Sequence, residues 1–235
     1  GPPREYAGRR EAGALEGGCG EKVEGDIELK HGMPAAAWLG GGSSDAAAIL
    51  KLLVFMFGLD VPAERLRALA FPLGADVPFF LAPGPQLARG VGEALTAVSG
   101  LPDYSLVLVK PPFDLVTAKV YGLFDDMGGA TADFQTRCNQ LAASLAGLVS
   151  AESTPTADLL PKIMQNDLEP SASAIFPELA GLKEEILAAG ALGALMSGCG
   201  SSVFGVFSNR ESSETAVSLL RTPRRQVWVT EPFRD

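Results

Sequence analysis

Histidine is almost missing: His31 is the single imidazole in 235 residues. The lone imidazole argues against a His-based triad and against a histidine-based metal cluster. Cysteine is scarce as well. Cys19, Cys138 and Cys199 are an odd number with no CxxC pair, so neither a disulfide framework nor a zinc site is expected. A reducing cytoplasm is the default compartment for such a chain. Basic charge is in deficit, with 19 Lys and Arg against 28 Asp and Glu and a net charge of −9. That balance lacks the field that nucleic acid or an anionic membrane needs, although a local phosphate pocket remains compatible with it. Long apolar runs are lacking too. The longest, Ala46 to Phe57, is 12 residues and is broken by Lys51, too short to span a bilayer. No charged, apolar and small-residue succession marks a leader at the N-terminal end. The 27 Gly and 17 Pro follow no triplet, which excludes a collagen-like chain.

What is present is a core. Hydrophobic residues make up 47% and the mean hydropathy is +0.19. A chain of this size buries about 70% of its unfolded surface, enough for one large core or two modest ones. Disorder is excluded by the same numbers.

Residues 1–25 are rich in Gly, Arg and Glu, and only Tyr6, Leu15 and Val23 are available to anchor them. They read as a marginal segment with a helix around Arg9 to Leu15. Asp26 to Lys30 alternates polar and apolar, a half-buried strand. After a glycine-rich loop, Ser43 to Phe57 is the strongest helix. Ser43 or Ser44 is its expected cap and Asp45 lies in its expected first turn. Ile49, Leu52, Leu53 and Met56 repeat at helical spacing, and Gly58 is a C-terminal stop. Pro62 opens a helix to Ala70. Val77 to Leu81 reads as a strand and Gln86 to Gly92 as an extended segment. Leu106 to Val109 is a buried strand halted by Pro111 and Pro112, and Val116 to Phe124 a helix. Further helices are expected at Asn139 to Val149, Pro177 to Ala189 and Glu211 to Arg221. Ala191 to Phe207 reads as strand, Gly/Ser loop, strand, and Gln226 to Thr230 closes as a strand. No internal repeat appears. Helices and strands alternate in two lobes, 1–100 and 101–235, of α/β or α+β class.

Three motifs carry chemistry. The first runs from Pro34 through Ala35, Ala36, Ala37, Trp38 and Leu39 to Gly40, Gly41, Gly42, Ser43 and Ser44. Consecutive glycines bring backbone N–H groups close to an anion, and the positive end of the following helix faces the same point. The serines add hydroxyl donors or a ligand for Mg²⁺. No Gly-Lys-Ser/Thr closes the loop, so it is not a Walker A motif. A plain glycine linker is the alternative. The second motif, Leu73-Gly-Ala-Asp-Val-Pro-Phe-Phe, fixes Asp76 at a junction where a carboxylate can accept a hydroxyl proton. An ordinary turn aspartate is its alternative. The third, Met196-Ser-Gly-Cys-Gly-Ser-Ser-Val-Phe, is a second Gly/Ser loop, able to close on phosphate or to serve as a tight connection. Cys199, with no imidazole partner, reads as a loop residue rather than a nucleophile.

Together with Ala88-Arg-Gly-Val-Gly-Glu, Asn166-Asp-Leu-Glu and Gly193-Ala-Leu preceding the third motif, these pieces resemble the GHMP kinase superfamily. Within it they resemble most the 4-diphosphocytidyl-2-C-methyl-D-erythritol kinases. The resemblance covers the chain from about residue 26 to its end. It implies a two-lobed α+β fold: an N-terminal α/β lobe lacking its first strands, and a ferredoxin-like C-terminal lobe. It implies that Pro34 to Ser44 holds the ATP phosphates, with Ser44 toward Mg²⁺, and that Gly198, Gly200 and Ser201 close on the nucleotide. It implies that Asp76 is the catalytic carboxylate and that Thr117 and Tyr121 line the cytidine side. The implied reaction moves the γ-phosphoryl group of ATP to the 2-hydroxyl of the cytidyl substrate. The implied partners are small molecules, with no nucleic acid or membrane. Oligomeric state is not legible.

The family's Ala-Lys-Ile-Asn-Leu motif, whose Lys sits beside the catalytic carboxylate, and its Gly-Tyr-His element are not found in the sequence. The corresponding reading is that residues 1–25 match a later helix of the family. A nucleotide-binding relative with little activity, and another small-molecule GHMP kinase, are the alternatives. Trp38 stands where the family has Gly, and a positive φ there would make an indole costly. A perturbed loop is the expectation, with stacking on the adenine as the alternative. Cys199 replaces the family's usual Ser.

Overall fold

A computed structural model of the chain describes residues 12–17, 38–129, 136, 138–140, 142–144 and 156–232. The expected strand at Asp26 to Lys30, loop residues Pro34 to Ala37 and most of the expected helix at Asn139 to Val149 lie outside the described residues. The chain divides into two compact units. The first comprises residues 40–97 with 12–17, and the second residues 98–232 with 38–39.

The first unit is mainly helical. Residues 12–17 form α1, whose Leu15 is fully buried. The main helix, α2, spans Gly41–Met56. It begins two residues earlier than the serines predict, with Gly40 as its N-cap and no side-chain capping bond. Asp45 therefore lies beyond the first turn. The buried stripe of α2 also differs from expectation. It runs through Ala46, Ala47, Ile49, Leu50 and Leu53, whereas Leu52 and Met56 are exposed. Apolar residues encircle much of this helix, so spacing alone does not select the inner face. The alanine pair does, by allowing neighbouring helices to approach closely. Gly58, at φ 61, ends the helix. Its N–H bonds Phe55 O and that of Leu59 bonds Val54 O, which is a Schellman arrangement.

Helix α3 spans Ala63–Ala70 behind Pro62, and a 3-10 turn over Phe71–Leu73 leads to α4, Val77–Leu81. The strand predicted at Val77 to Leu81 is thus a helix. A short apolar run has no period to separate the two states, and Pro78 in the first turn, unfavourable in a strand, suits a helix start. Leu15, Ala47, Ile49, Leu50, Ala70 and Val77 form the core of this unit. A hairpin completes it. Strands β1 (Gln86–Arg89) and β2 (Ala94–Ala97) pair antiparallel, so the extended segment predicted to Gly92 stops at a turn over residues 90–93.

The second unit is built on one antiparallel sheet. Strands β3 (Ser105–Lys110), β4 (Gly193–Met196), β5 (Val203–Phe207) and β6 (Gln226–Thr230) lie in the order β4-β5-β3-β6. That order is the ferredoxin-like arrangement. Helices α5 (Thr117–Asp126), α6 (Glu169–Ile175), α7 (Glu178–Ala188) and α8 (Arg210–Leu220) accompany it. Helix α8 packs on β3 and β6, and α7 on β4 and β5. Val107, Val109, Leu179, Leu182, Ile186, Val203, Phe207, Ala216 and Leu220 fill the core. Asn209 caps α8 by accepting from Ser212 N at 2.9 Å. The Ser105 and Ser213 hydroxyls bond at 2.8 Å beneath the same helix.

Candidate functional site

In the first unit, the Gly-rich loop becomes a helix start. Gly40 sits at φ 70, ψ 14, where only glycine is comfortable. A Cβ on it would lie 2.5 Å from Cζ of Phe80. The glycine thus lets α2 and α4 meet, and so joins the loop motif to the motif that bears Asp76. Lys51 ties the other end of the contact, donating to Phe80 O at 3.0 Å. Ser44 N is the first amide to find a helical acceptor, Gly40 O at 2.8 Å. The N–H groups of Gly41, Gly42 and Ser43 have no carbonyl ahead of them in the helix, and no acidic residue occupies the first turn. This helix end presents donors and a positive dipole, which is what a phosphate requires.

Ser44 Oγ donates to Gly41 O at 2.8 Å, which uses its proton and leaves its lone pairs. Among the described residues no group of three acidic, His or Cys side chains is placed to hold a metal ion. Magnesium is commonly carried by nucleotide phosphates with one or two protein oxygens, and a single hydroxyl with open lone pairs fits that mode.

Asp76 is exposed at the N-cap of α4, and its carboxylate makes no capping bond to that helix. Its position is set by buried neighbours. Val77 and Pro78 are packed away immediately after it. On the other side Gly92, at φ 108, approaches the Ala75 carbonyl, which would be 3.1 Å from a Cβ there. The Ala88-to-Glu93 motif therefore forms the hairpin turn that abuts the Asp76 loop.

In the second unit, the Gly/Ser loop between β4 and β5 is folded inward. Ser197 N donates to Ser202 O at 2.9 Å and Gly200 N to Ser197 O at 2.8 Å. Ser201 is fully buried and its hydroxyl donates to Phe113 O. That carbonyl also accepts from the buried Lys110 Nζ at 2.7 Å. Gly200 is buried against Leu115 and Met196. Of the three predicted nucleotide contacts in this loop, Gly198 alone is exposed.

Three residues hold this loop without having been singled out for a role from the sequence. Asn166 Nδ2 donates to Met196 O at 2.9 Å and Gly198 O at 2.8 Å, and its Oδ1 accepts from Leu168 N. Glu169 accepts from Met196 N at 3.0 Å and pairs with Lys183. Ser197 Oγ donates to Trp38 O at 2.7 Å. The signal for the first two was the Asn166-Asp-Leu-Glu motif. Ser197 lies within the third motif, but nothing local marked Trp38 as its partner.

Thr117 opens α5 and Tyr121 lies one turn on, half exposed on the same side. Burial, and secondarily Cys199, raise the tyrosine above its usual range. Burial likewise raises Cys199 while Tyr121 opposes the shift, so the thiol stays protonated at neutral pH and is no nucleophile. Trp38 does take the positive φ that the sequence warned of, at 52°.

With this geometry in hand, comparison with known proteins gives a consistent result. Residues 7–84 match the GHMP kinases N terminal domain and residues 150–222 the GHMP kinases C terminal model. The chain is 39% identical over 222 residues to 4-diphosphocytidyl-2-C-methyl-D-erythritol kinase of Desulfitobacterium hafniense, covering 94% of this chain and 73% of that one. It is 38% identical over 232 residues to the enzyme of the same name from Pelotomaculum thermopropionicum, covering 99% and 77%. A crystal structure of 4-(cytidine 5'-diphospho)-2C-methyl-D-erythritol kinase superposes with a TM-score of 0.76 at 34% identity, covering 98% of this chain and 80% of that chain.

Proposed function

From the premise that the chain belongs to the GHMP kinases, and within them to the 4-diphosphocytidyl-2-C-methyl-D-erythritol kinase family, we propose its function. It is an ATP-dependent phosphotransferase that phosphorylates the 2-hydroxyl of 4-diphosphocytidyl-2-C-methyl-D-erythritol, in isoprenoid biosynthesis. The observation that carries this reading is the start of α2. The N–H groups of Gly41, Gly42 and Ser43 have no acceptor within their own helix, and the helix that bears Asp76 is packed on the same α2 through Phe80.

The N–H groups of Gly41, Gly42 and Ser43 hold phosphate oxygens, with Pro34 to Leu39 leading the chain into that cradle. Ser44 supplies an oxygen toward a nucleotide-borne Mg²⁺, which when bound neutralises charge between the phosphates. Asp76, exposed and uncommitted to its own helix, accepts the proton of the substrate hydroxyl as that oxygen attacks the γ-phosphorus and the bond from that phosphorus to the bridging oxygen breaks, releasing ADP. Gly198 contacts the nucleotide from the second Gly/Ser loop, while Gly200 and Ser201 act by holding that loop in shape. Thr117 and the half-exposed ring of Tyr121 receive the cytidine. Residues 1–100 and 101–235 serve as the N-terminal and C-terminal lobes. Three cysteines with no CxxC pair and the net negative charge support a cytoplasmic enzyme working on small molecules.

The deciding experiment is transfer of labelled γ-phosphate from ATP, with Mg²⁺, to the cytidyl substrate, with homoserine, mevalonate and galactose as competitors. Transfer to the cytidyl substrate alone is expected. Transfer to another alcohol would overturn the substrate, and ATP binding without transfer would leave a nucleotide-binding relative.

A further inference from the structure

Among the described residues, Trp38 is the one non-glycine side chain at positive φ. A bulky residue persists there only where its surroundings over-determine it. Two contacts do so. The Trp38 carbonyl accepts the Ser197 hydroxyl at 2.7 Å. The indole lies on Gly198, so closely that a Cβ at Gly198 would sit 2.9 Å from both Cβ and Cε3 of Trp38. Gly198 is itself at φ 53 and its carbonyl is held by Asn166. The indole therefore rests on a fixed surface rather than on a mobile loop. Two residues after Trp38 comes Gly40, where α2 begins to present its open N–H groups.

We propose that Trp38 is a positioning residue of the nucleotide site. Its indole, clamped on Gly198, pins the backbone two residues before the N-cap of α2 and so limits the conformations from which the N–H groups there receive ATP. The inference rests on the kinase reading for its nucleotide half and on geometry alone for the clamp. A pinned entry lowers the ordering cost of binding, so loosening it weakens ATP more than it slows chemistry.

The test uses the full chain with Trp38→Ala, Trp38→Phe and Ser197→Ala. Without nucleotide, Trp38→Ala is expected to raise amide hydrogen exchange over residues 196–202 about tenfold, with Trp38→Phe close to the parent. With Mg-ATP, Trp38→Ala is expected to raise Kd and KM about tenfold and to lower kcat by less. Ser197→Ala shows the same pattern at smaller size, and the Phe variant restores most of the loss. Unchanged exchange in folded Trp38→Ala overturns the clamp. Faster exchange with unchanged Kd overturns the nucleotide role. Should the parent chain bind no ATP, the kinase reading falls with that role, and exchange still decides the clamp. If Trp38→Ala does not fold, Ser197→Ala carries the test; parent-like exchange in it overturns the clamp, and a slowed kcat at unchanged KM overturns the nucleotide role.

Discussion

The two glycine-serine loops have nearly the same composition and opposite fates. Gly40-Gly-Gly-Ser-Ser runs into a helix, and its first backbone donors at the start of α2 have no acceptor within that helix. Gly198-Cys-Gly-Ser-Ser runs into a strand, and its serines and second glycine are buried. In the first, the Ser44 hydroxyl is spent locally on Gly41 O. In the second, the Ser201 hydroxyl is spent on Phe113 O, 88 residues away in sequence. The lesson is that Gly and Ser license close backbone approach without saying what approaches. The element that follows decides. A helix orients its free N–H groups outward along its axis, whereas a central strand draws the loop toward its own core.

That contrast can be tested in descending order of effect. Asp76, on the helix packed beside the open loop, is exposed and caps nothing, so Asp76→Asn is expected to cut kcat about a thousandfold. Its melting temperature should match the parent, and a destabilised variant with retained kcat would assign Asp76 to structure instead. Next, a methyl group is added to each loop. In Gly200→Ala it meets Leu115 and Met196, each 2.7 Å away, at φ 81 within a core. A loss of about 3 kcal/mol in urea unfolding is expected. In Gly40→Ala it meets one edge of the Phe80 ring, so a loss of about 1–2 kcal/mol is expected together with weakened ATP binding. Equal stability losses would erase the distinction between a folded loop and an open one.

The smallest effect separates packing from charge. On the second unit, Glu185 pairs with Arg225, and the hydrogen bond from that guanidinium holds the carboxyl below its usual value of 4.5. Its folded pKa is therefore lower than its unfolded one. The pair's stabilisation is present above about pH 4.5 and is lost as pH falls through the folded value. Half of the Glu185 side chain is exposed, so the contribution is within about 1 kcal/mol. Glu185→Gln should flatten the acid limb of a stability-against-pH curve by that amount and leave both loops untouched at neutral pH.

Periodic elements were the legible ones. The expected β3, α7, α8 and β6 match the structure to within about one residue at either end, because each combines a clear period with a turn or cap signal. Gly58 ended α2 as its chemistry requires. Val77 to Leu81 reads as a strand yet folds as a helix, because five apolar residues have no period. Helix α6 was missed because Glu169–Ile175 is mostly small residues with no apolar stripe. In the candidate site, Asp76 and the open N–H groups of α2 were named from residue types and spacing. The inward turn of Gly200 and Ser201, and the roles of Asn166, Glu169 and Ser197, were not. Their partners are set by tertiary contacts; the Ser197 to Trp38 bond alone joins residues 159 apart.

The sequence by itself determined the residue types that phosphoryl transfer needs: consecutive glycines before a strong helix and a carboxylate between small residues. It also determined that residue 38 carries a strained indole if its φ is positive. Only the tertiary structure decided that φ, and seated the indole on Gly198 where the strain is offset. It likewise decided which Gly/Ser loop opens and which closes. Backbone freedom is a local property of glycine, while the surfaces that use it are assembled from distant parts of the chain.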